Sequence, residues 1–564
     1  METHAPVGLQ KRYSVIVCGA GPTGLTLAID LGMRGVDCLV VERLLVPSPW
    51  PKFDRCNART MEFYRRLGLA EGIRELGYPP DEPMDVYVLT RMSEPPIVHL
   101  PYPSVTEWRS DIAACADGSL PLEPPQLVSQ NRSEPFLRSC ADALPNVSVR
   151  YGSELMDLHE DARGVTVTVR AANGAADTFR CDYLVGCDGA ASTVRKKLDI
   201  PLEGVSRDST RQVVCFSEDF YDRIPAGRGR HYYFADEHRS RIIVQGDRKE
   251  FTFQSTHPDD TDFERVIRDL AGFDFDLEIR NISTWTPRLL LAERFSAGRC
   301  FLAGDAAHQV IPTGGLGMNT GVGDALNLSW KLAGAVAGWG GRPLLDTYDT
   351  ERRRVAARNR QAALWGAEGV REWQALVQPG RPPDESLAES ARVNHARMYG
   401  MFGAEWGYSY AGSPAIRTEP DDACDWDITR YTPSAAPGRR IPHMWLRDGK
   451  AIQDVLGQDY TLVDLAGDAD FDDVVAAFGD AGVPLHVLRL SEPRLQEVYG
   501  CSLLLVRPDL HVAWRGHAPP GQPAQLVMQV AGTQAWPVLA HAAGPAPRPG
   551  SARRASDSGI SRYQ

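Results

Sequence analysis

The sequence predicts an α/β fold spread over several domains, on three observations. The chain opens strand, glycine turn, helix, strand; alternating runs in its middle third belong to a separate antiparallel sheet; and a fresh series of strand and helix signals starts near residue 448. A βαβ opening implies a parallel sheet with helices packed on its faces. The apolar run 14–18 enters the cluster Gly19-Ala20-Gly21-Pro22-Thr23-Gly24, a helical pattern continues to about Gly35, and 38–41 reads as the next strand. At 564 residues the chain exceeds the ~250–300 at which single cores stop growing, so two or three domains are expected.

Further along, Pro79-Pro80 and Pro124-Pro125 mark 75–125 as loops and short strands. Runs 147–151, 165–169 and 183–186 read as strands, as do 212–216, 230–234 and 241–245, most of the latter group in the separate sheet. From Asp324 to about Leu376 apolar residues recur every three or four positions, which predicts a long helical hairpin. Residues 412–443, rich in Pro, Gly and charge, read as a linker, and the stretch from 544 has too few apolar side chains to order itself.

Composition narrows the function classes. With 43% hydrophobic and 24% charged residues the chain can bury a sizeable core. A formal net charge of -12 argues against nucleic acid or an anionic membrane as partner. The eleven cysteines include no Cys-x-x-Cys and leave one over if paired, which fits a reducing cytoplasm. Neither a secretory leader nor a membrane span is expected, and no His/Cys cluster has metal-ligand spacing. No Gly-x-Ser-x-Gly elbow suggests a hydrolase.

The chemistry lies in the glycine cluster and in two later motifs. Gly19, Gly21 and Gly24 can supply the tight turn, the close pyrophosphate approach and the helix packing of a dinucleotide site, with Pro22 and Thr23 at the helix N-terminus facing the phosphates. Glu42, followed by Arg43, ends the next strand 18 residues beyond Gly24, where a carboxylate can take the ribose hydroxyls. The later motifs are, in order, Tyr183-Leu184-Val185-Gly186-Cys187-Asp188-Gly189, continuing to Ser192 and Arg195, and Gly304-Asp305-Ala306-Ala307-His308.

Over roughly residues 12 to 400 the three motifs together resemble the class A flavoprotein monooxygenases, the group of p-hydroxybenzoate and phenol hydroxylases. The resemblance implies a Rossmann-like FAD-binding domain of glutathione-reductase type with an inserted antiparallel-sheet substrate domain. Residues 445–540, with Arg507-Pro508-Asp509 before a run ending Trp514-Arg515, resemble the thioredoxin-like appendage of the phenol hydroxylase branch. Cys501 has no Cys-x-x-Cys partner there, so packing or dimer contacts are expected rather than dithiol chemistry. Domains are accordingly expected at 1–90, 126–205 and 286–411 (FAD-binding), 91–125 and 206–285 (substrate-binding), 412–443 (linker), 444–543 (thioredoxin-like) and 544–564 (disordered tail).

The resemblance also implies roles. Asp188 and Asp305 would meet FAD, Asp305 through the ribityl and ribose hydroxyls; Arg59 would lie along the cofactor and Gln130, with Glu134, would reach the dinucleotide. Pro312 and Gly314-Gly315-Leu316-Gly317-Met318-Asn319 would set a helix N-terminus against the flavin, with Gly317, Met318 and Asn319 as cofactor contacts and Pro312 among the catalytic positions. Asp324, Asn327, Trp330 and Lys331 continue the pattern but are expected mostly to pack and cap, and His308 to make structural hydrogen bonds.

The implied reaction is hydroxylation of a phenolic ring with NADPH or NADH and O₂ through a flavin C4a-hydroperoxide, by a homodimer if the resemblance extends that far. Asp54, five residues before Arg59, matches an aspartate beside the substrate hydroxyl in the phenol hydroxylase branch, against the alternative of a turn-capping loop residue. A related branch starts this loop with His-Pro, but here Trp50-Pro51 stands there and that histidine is absent. Trp285 is a substrate-facing aromatic or simply packing. Tyr232 and Tyr233 alternate on one strand, so one faces the pocket; periodicity does not choose between them, and Tyr232 is carried as the candidate. Two other readings stay open: an epoxidase or Baeyer–Villiger oxygenase acting on a polyketide, and a non-catalytic flavin-binding scaffold. A halogenase is disfavoured because its Trp-x-Trp-x-Ile-Pro motif is missing.

Overall fold

The computed structural model describes residues 11–246, 248–419 and 427–533, so the tail expected at 544–564 lies outside the described residues. The first sheet is built on the strand Lys11–Cys18, with Cys38–Val41 on one side and Ala176–Gly186 on the other, both parallel to it. Val147–Arg150 and Cys300–Leu302 extend the parallel order outward. Val15, Ile16 and Val17 are wholly buried on both faces, as a parallel strand covered by helices requires. Pro22–Met33 packs against Leu316–Ala337 on one side of this core and Gln130–Asp142 on another. Because the chain crosses to opposite sides of Lys11–Cys18, a crevice opens at that strand's carboxyl end, where open α/β sheets bind ligands.

The second sheet has seven strands, in the order Leu277–Trp285, Thr210–Ser217, Glu250–Ser255, Arg241–Val244, His231–Phe234, Val86–Leu89 and Val98–Leu100. Its pleat separates two chemistries. Val213, Phe253, Ile242 and Tyr232 share one face and pack into an apolar core. Gln212, Gln254, Arg241 and Tyr233 share the other. The strand Val86–Leu89, placed within 1–90 by sequence, pairs in parallel with His231–Phe234 and so belongs to this second sheet. Pro79-Pro80 hid it: a four-residue apolar run after a proline pair shows no periodicity long enough to place it.

The C-terminal module runs strand, helix, strand, helix, strand, strand, helix over residues 460–531. Tyr460–Asp464 pairs in parallel with Leu485–Arg489 and antiparallel with Leu503–Val506, which pairs with Val512–Gly516. This is the thioredoxin-like arrangement. Cys501 is buried there, and desolvation pushes its thiol up to about 12, which leaves it inert.

Buried ion pairs dock the module on the rest. Arg440 donates to both carboxylate oxygens of Glu62 at 2.9 and 2.6 Å, and Arg59 donates to Glu62 at 2.9 Å and to the Asp509 carbonyl at 2.9 Å. Arg507 forks onto Glu351 at 2.7 and 2.9 Å, while Lys331 reaches the same carboxylate at 2.8 Å. The described part of 412–443, read from sequence as a linker, is therefore packed: Arg440 and Ile441 are buried, and Gly438 donates its N–H to the Val512 carbonyl.

Burial alone would raise the Glu62 carboxyl, but Arg440, then Arg59, hold it down to about 2. Glu62→Gln should cost about 3–5 kcal/mol in denaturant unfolding, since two guanidinium groups lose their counter-charge in a buried site. A depressed carboxyl stabilises the fold fully above its unfolded value near ~4.3 and progressively less as pH falls through the folded one. The gap between wild type and variant should therefore narrow below pH ~4, which unfolding curves at pH 7 and pH 3 will check.

Candidate active site

Gly19 ends the first strand at φ +109°, and a Cβ there would stand 2.3 Å from the Cys187 carbonyl oxygen. At Gly24 a Cβ would stand 2.0 Å from the Gly19 oxygen, so only glycine lets the helix start this close to the turn. At Gly21 a Cβ would meet nothing within 4 Å. That side of the turn is open, and it lines a cavity of ≈ 380 Å³. The helix Pro22–Met33 has no side-chain N-cap, which leaves its first N–H groups for an anion. Glu42 accepts the Ala20 N–H and the Leu44 N–H, both at 2.9 Å, and so stitches the next strand end to the turn. Arg43 beside it is exposed.

Asp188 caps the short helix Thr193–Lys197 by accepting the Thr193 N–H at 2.6 Å and the Val194 N–H at 3.1 Å. Its other oxygen, Oδ1, is buried with no partner among the described residues, and desolvation raises the carboxyl. Gly304 turns at φ +61° against Thr23, which aims Asp305 into the cavity. Asp305 has no hydrogen-bond partner among the described residues, and its side chain is exposed to the open cavity. The turn is braced from behind, where Asp324 accepts the Gly304 N–H at 3.0 Å, His308 Nε2 at 2.7 Å and Arg352 Nε at 2.7 Å. His308 thus serves the scaffold. Pro312, Gly317, Met318 and Gln130 also line the cavity.

Of the side chains assigned to the cofactor, Glu42, Arg43, Arg59, Asp188 and Asn319 do not line the cavity, and Arg59 and Asn319 turn to other parts of the fold. Arg59, on the first turn of Ala58–Arg66, faces Glu62 and the C-terminal module and does not line the cavity. Arg55, on the strand before that helix, lines it instead and is tied to Glu405 at 2.6 and 3.1 Å. Asn319 turns from the main cavity to pin two loops, donating to the Gly315 and Arg55 carbonyls at 2.6 and 3.1 Å and accepting the Asn57 N–H at 2.9 Å.

The polar face of the second sheet closes the cavity. Asp54 lines it and meets His231 Nε2 at 3.0 Å; His231 Nδ1 meets the Tyr399 hydroxyl at 2.6 Å, and Tyr399 meets the Tyr233 hydroxyl at 3.3 Å. Burial would raise Asp54, but the hydrogen bond and charge of His231, with Arg230 and Arg55, hold it well below the usual carboxylate range. Burial and Arg230 push His231 down to about 4, against the pull of Asp54. At neutral pH the pair is a carboxylate and a neutral imidazole. Nε2 then carries the proton donated to Asp54, and Nδ1 accepts from Tyr399.

Tyr232 is corrected by the pleat. It stacks on Tyr87 at 5.6 Å in the apolar core, its hydroxyl donating to the Gly227 carbonyl at 2.8 Å and accepting the Gly229 N–H at 2.7 Å; Tyr233 is the one in the cavity. Trp285, at the end of the edge strand Leu277–Trp285, does not line the cavity either. Sequence reasoning missed His231, Arg230 and Tyr399. Alternation could have paired His231 with Tyr233 on one face, whereas no local signal marks Tyr399, 168 residues away from its partner.

Residues 12–363 match the family described as FAD binding domain, and 434–533 match that described as aromatic-ring hydroxylase, C-terminal. The chain is 31% identical over 544 residues to the FAD-dependent monooxygenase apdD of Emericella nidulans, covering 89% of this chain and 87% of the relative. It is 30% identical over 582 residues to the 2,4-dichlorophenol 6-monooxygenase of Cupriavidus pinatubonensis, covering 92% and 95%. A solved structure of the rebeccamycin biosynthetic enzyme RebC with reduced flavin superposes with TM-score 0.85 at 30% identity, over 93% of this chain and 100% of that one.

Gly24→Val should prevent retention of the dinucleotide, because its side chain must displace the Gly19 carbonyl that closes the turn. The purified variant is expected to be colourless with an unchanged far-ultraviolet dichroism spectrum.

Proposed function

Because this chain belongs to the FAD-dependent aromatic-ring hydroxylases, we propose that Asp54, His231 and Arg230 are the groups that position and polarise a ring hydroxyl of its substrate. The enzyme is a flavoprotein monooxygenase that hydroxylates an aromatic substrate with NAD(P)H and O₂. FAD, when bound and reduced, supplies the activation of O₂. The residues present fit it. The open side of the turn at Gly21 leaves room for a pyrophosphate, the uncapped helix at Thr23 and Gly24 offers N–H groups, and the unpartnered Asp305 carboxylate offers acceptors for hydroxyls. Glu42 keeps lone pairs for a ribose, and Gly317 and Met318 open the helix Leu316–Ala337 toward the flavin ring. Pro312, with no ionisable group, shapes the adjoining wall.

The observation that carries the substrate assignment is the chain of polar contacts from Asp54 to Tyr233 on the cavity wall. An electron-rich ring reacts better as the phenolate. Asp54, held ionised, can accept the hydrogen bond of a ring hydroxyl, and Arg230, 3.9 Å from its Oδ2, favours negative charge on the substrate oxygen. With Asp54 so acidic and His231 near 4, neither keeps the proton, so their task is to orient the hydroxyl and pass its proton toward solvent. A cytoplasmic setting is supported by the described cysteines, all of them free thiols.

Asp54→Asn should keep FAD bound while product formation falls roughly 10²-fold, the usual contribution of a positioned acid–base group, with NAD(P)H oxidation diverted to hydrogen peroxide. Turnover and peroxide assays of the yellow variant check this; unchanged coupling removes Asp54 from the mechanism. In His231→Asn, burial is no longer offset by the imidazole, so the Asp54 carboxyl rises and its ionised fraction falls at any given acid pH. An acid limb absent from the wild-type pH–rate profile should appear in this variant.

A further inference from the structure

A smaller cavity, of ≈ 10 Å³, lies where the helices Ala58–Arg66, Leu316–Ala337, Arg342–Gln374 and Phe402–Trp406 meet. Two buried side chains in its wall have a polar atom unmet. Arg59, 3% exposed, spends Nη1 on Glu62 and Nη2 on the Asp509 carbonyl, both at 2.9 Å, while its Nε–H has no partner among the described residues. Asn359, 5% exposed, has an amide oxygen in the same condition. The orientation of that amide follows from its neighbour. The Thr320 hydroxyl gives its one proton to the Leu316 carbonyl at 2.7 Å, so it can only accept from Asn359. Asn359 Nδ2 therefore donates to it, at 2.8 Å, and Oδ1 is the atom left over. One donor and one acceptor thus stand unmet on the wall of one cavity.

The chemistry of the wall decides what fits there. Arg59 is paired with Glu62, and Arg352 with Asp324 at 2.7 Å, so both guanidinium groups at this cavity already have counter-charges and call for no anion. A halide would also leave Asn359 Oδ1 without a donor. Water answers both atoms, accepting from the Arg59 Nε–H and donating to Asn359 Oδ1, and Glu405 on the same wall offers an acceptor for its second proton. The size agrees, since a buried water needs roughly 10–15 Å³ of such room and two to four polar partners. The location gives such a water a task. On one side Arg59 is held by the Asp509 carbonyl of the C-terminal module. On the other, Asn359 leads through Thr320 to the Leu316 carbonyl, in the first turn of the helix whose Gly317 and Met318 line the large cavity.

We propose that this cavity is a site for a single water molecule bridging Arg59 Nε and Asn359 Oδ1, and that through it the docked C-terminal module steadies the turn at which the helix Leu316–Ala337 meets FAD. The first test is a crystal structure of the FAD-loaded enzyme soaked in bromide. One ordered peak without anomalous signal, within hydrogen-bond distance of both atoms, is expected; a dry cavity, or a bromide in it, overturns the site. The second is a double-mutant cycle read as the dissociation constant of FAD. Arg59→Met and Asn359→Leu should each weaken FAD binding roughly fivefold, the scale of one buried hydrogen bond. Because both act through the same water, the double variant should lose little more than the worse single, where independent effects would multiply to roughly 25-fold. Effects that multiply, or an FAD affinity unchanged in both single variants, would overturn the coupling. If Arg59→Met does not fold, the crystal structure decides alone, since a wild-type cavity without the bridging water sinks both parts.

Discussion

A buried carboxylate must have its oxygens fully hydrogen-bonded, and Asp324 meets that demand by joining three parts of the molecule. It is fully buried on the helix Leu316–Ala337 and binds the Gly304 N–H, His308 and Arg352. The first contact sets the turn that points Asp305 into the cavity. The last ties in the long helix Arg342–Gln374, whose Arg352 also donates to the Thr320 carbonyl at 2.9 Å and the Tyr410 hydroxyl at 3.0 Å. Glu351, one residue earlier and so rotated about 100° around that helix, faces Arg507 and Lys331 instead. Two adjacent residues thus carry two separate networks, one bracing the cofactor turn and one docking the C-terminal module.

On the substrate side the same rule is met less fully. The ladder Arg241, Gln254, Gln212 and the chain Asp54, His231, Tyr399, Tyr233 satisfy most donors and acceptors of the polar sheet face, yet Arg230 is left in loose contact with one carboxylate. On the cofactor side Oδ1 of Asp188 is buried without a partner among the described residues, and the Asp305 carboxylate is open to the cavity.

The parts legible in the sequence are those that local chemistry decides. Gly19, Gly24 and Gly304 sit where a Cβ would strike backbone or a neighbouring side chain, so the motif and the geometry carry the same information. The helical hairpin was readable from its period, and the thioredoxin-like module from its strand endings. Arg59 and Arg55 show the limit: they lie four residues apart across a strand-to-helix change, and only the packed C-terminal module decides that Arg59 turns to Asp509 while Arg55 faces the cavity. Tyr232 and Tyr233 differ by one step of the pleat, and the sheet's partners, not its sequence, choose the face. Tyr399 enters the site from a segment with no motif of its own.

The central claim, that this cavity inserts oxygen from O₂ into an aromatic ring, is tested most directly by isotope labelling. The FAD-loaded protein would be supplied with NADPH or NADH and a panel of phenols under heavy-isotope O₂, and the products weighed by mass spectrometry. The account predicts a product carrying one heavy oxygen atom, formed in step with consumption of the reduced nicotinamide. A flavin-bearing protein that consumes the reduced nicotinamide in the presence of these phenols, yet leaves every ring unlabelled, would contradict it.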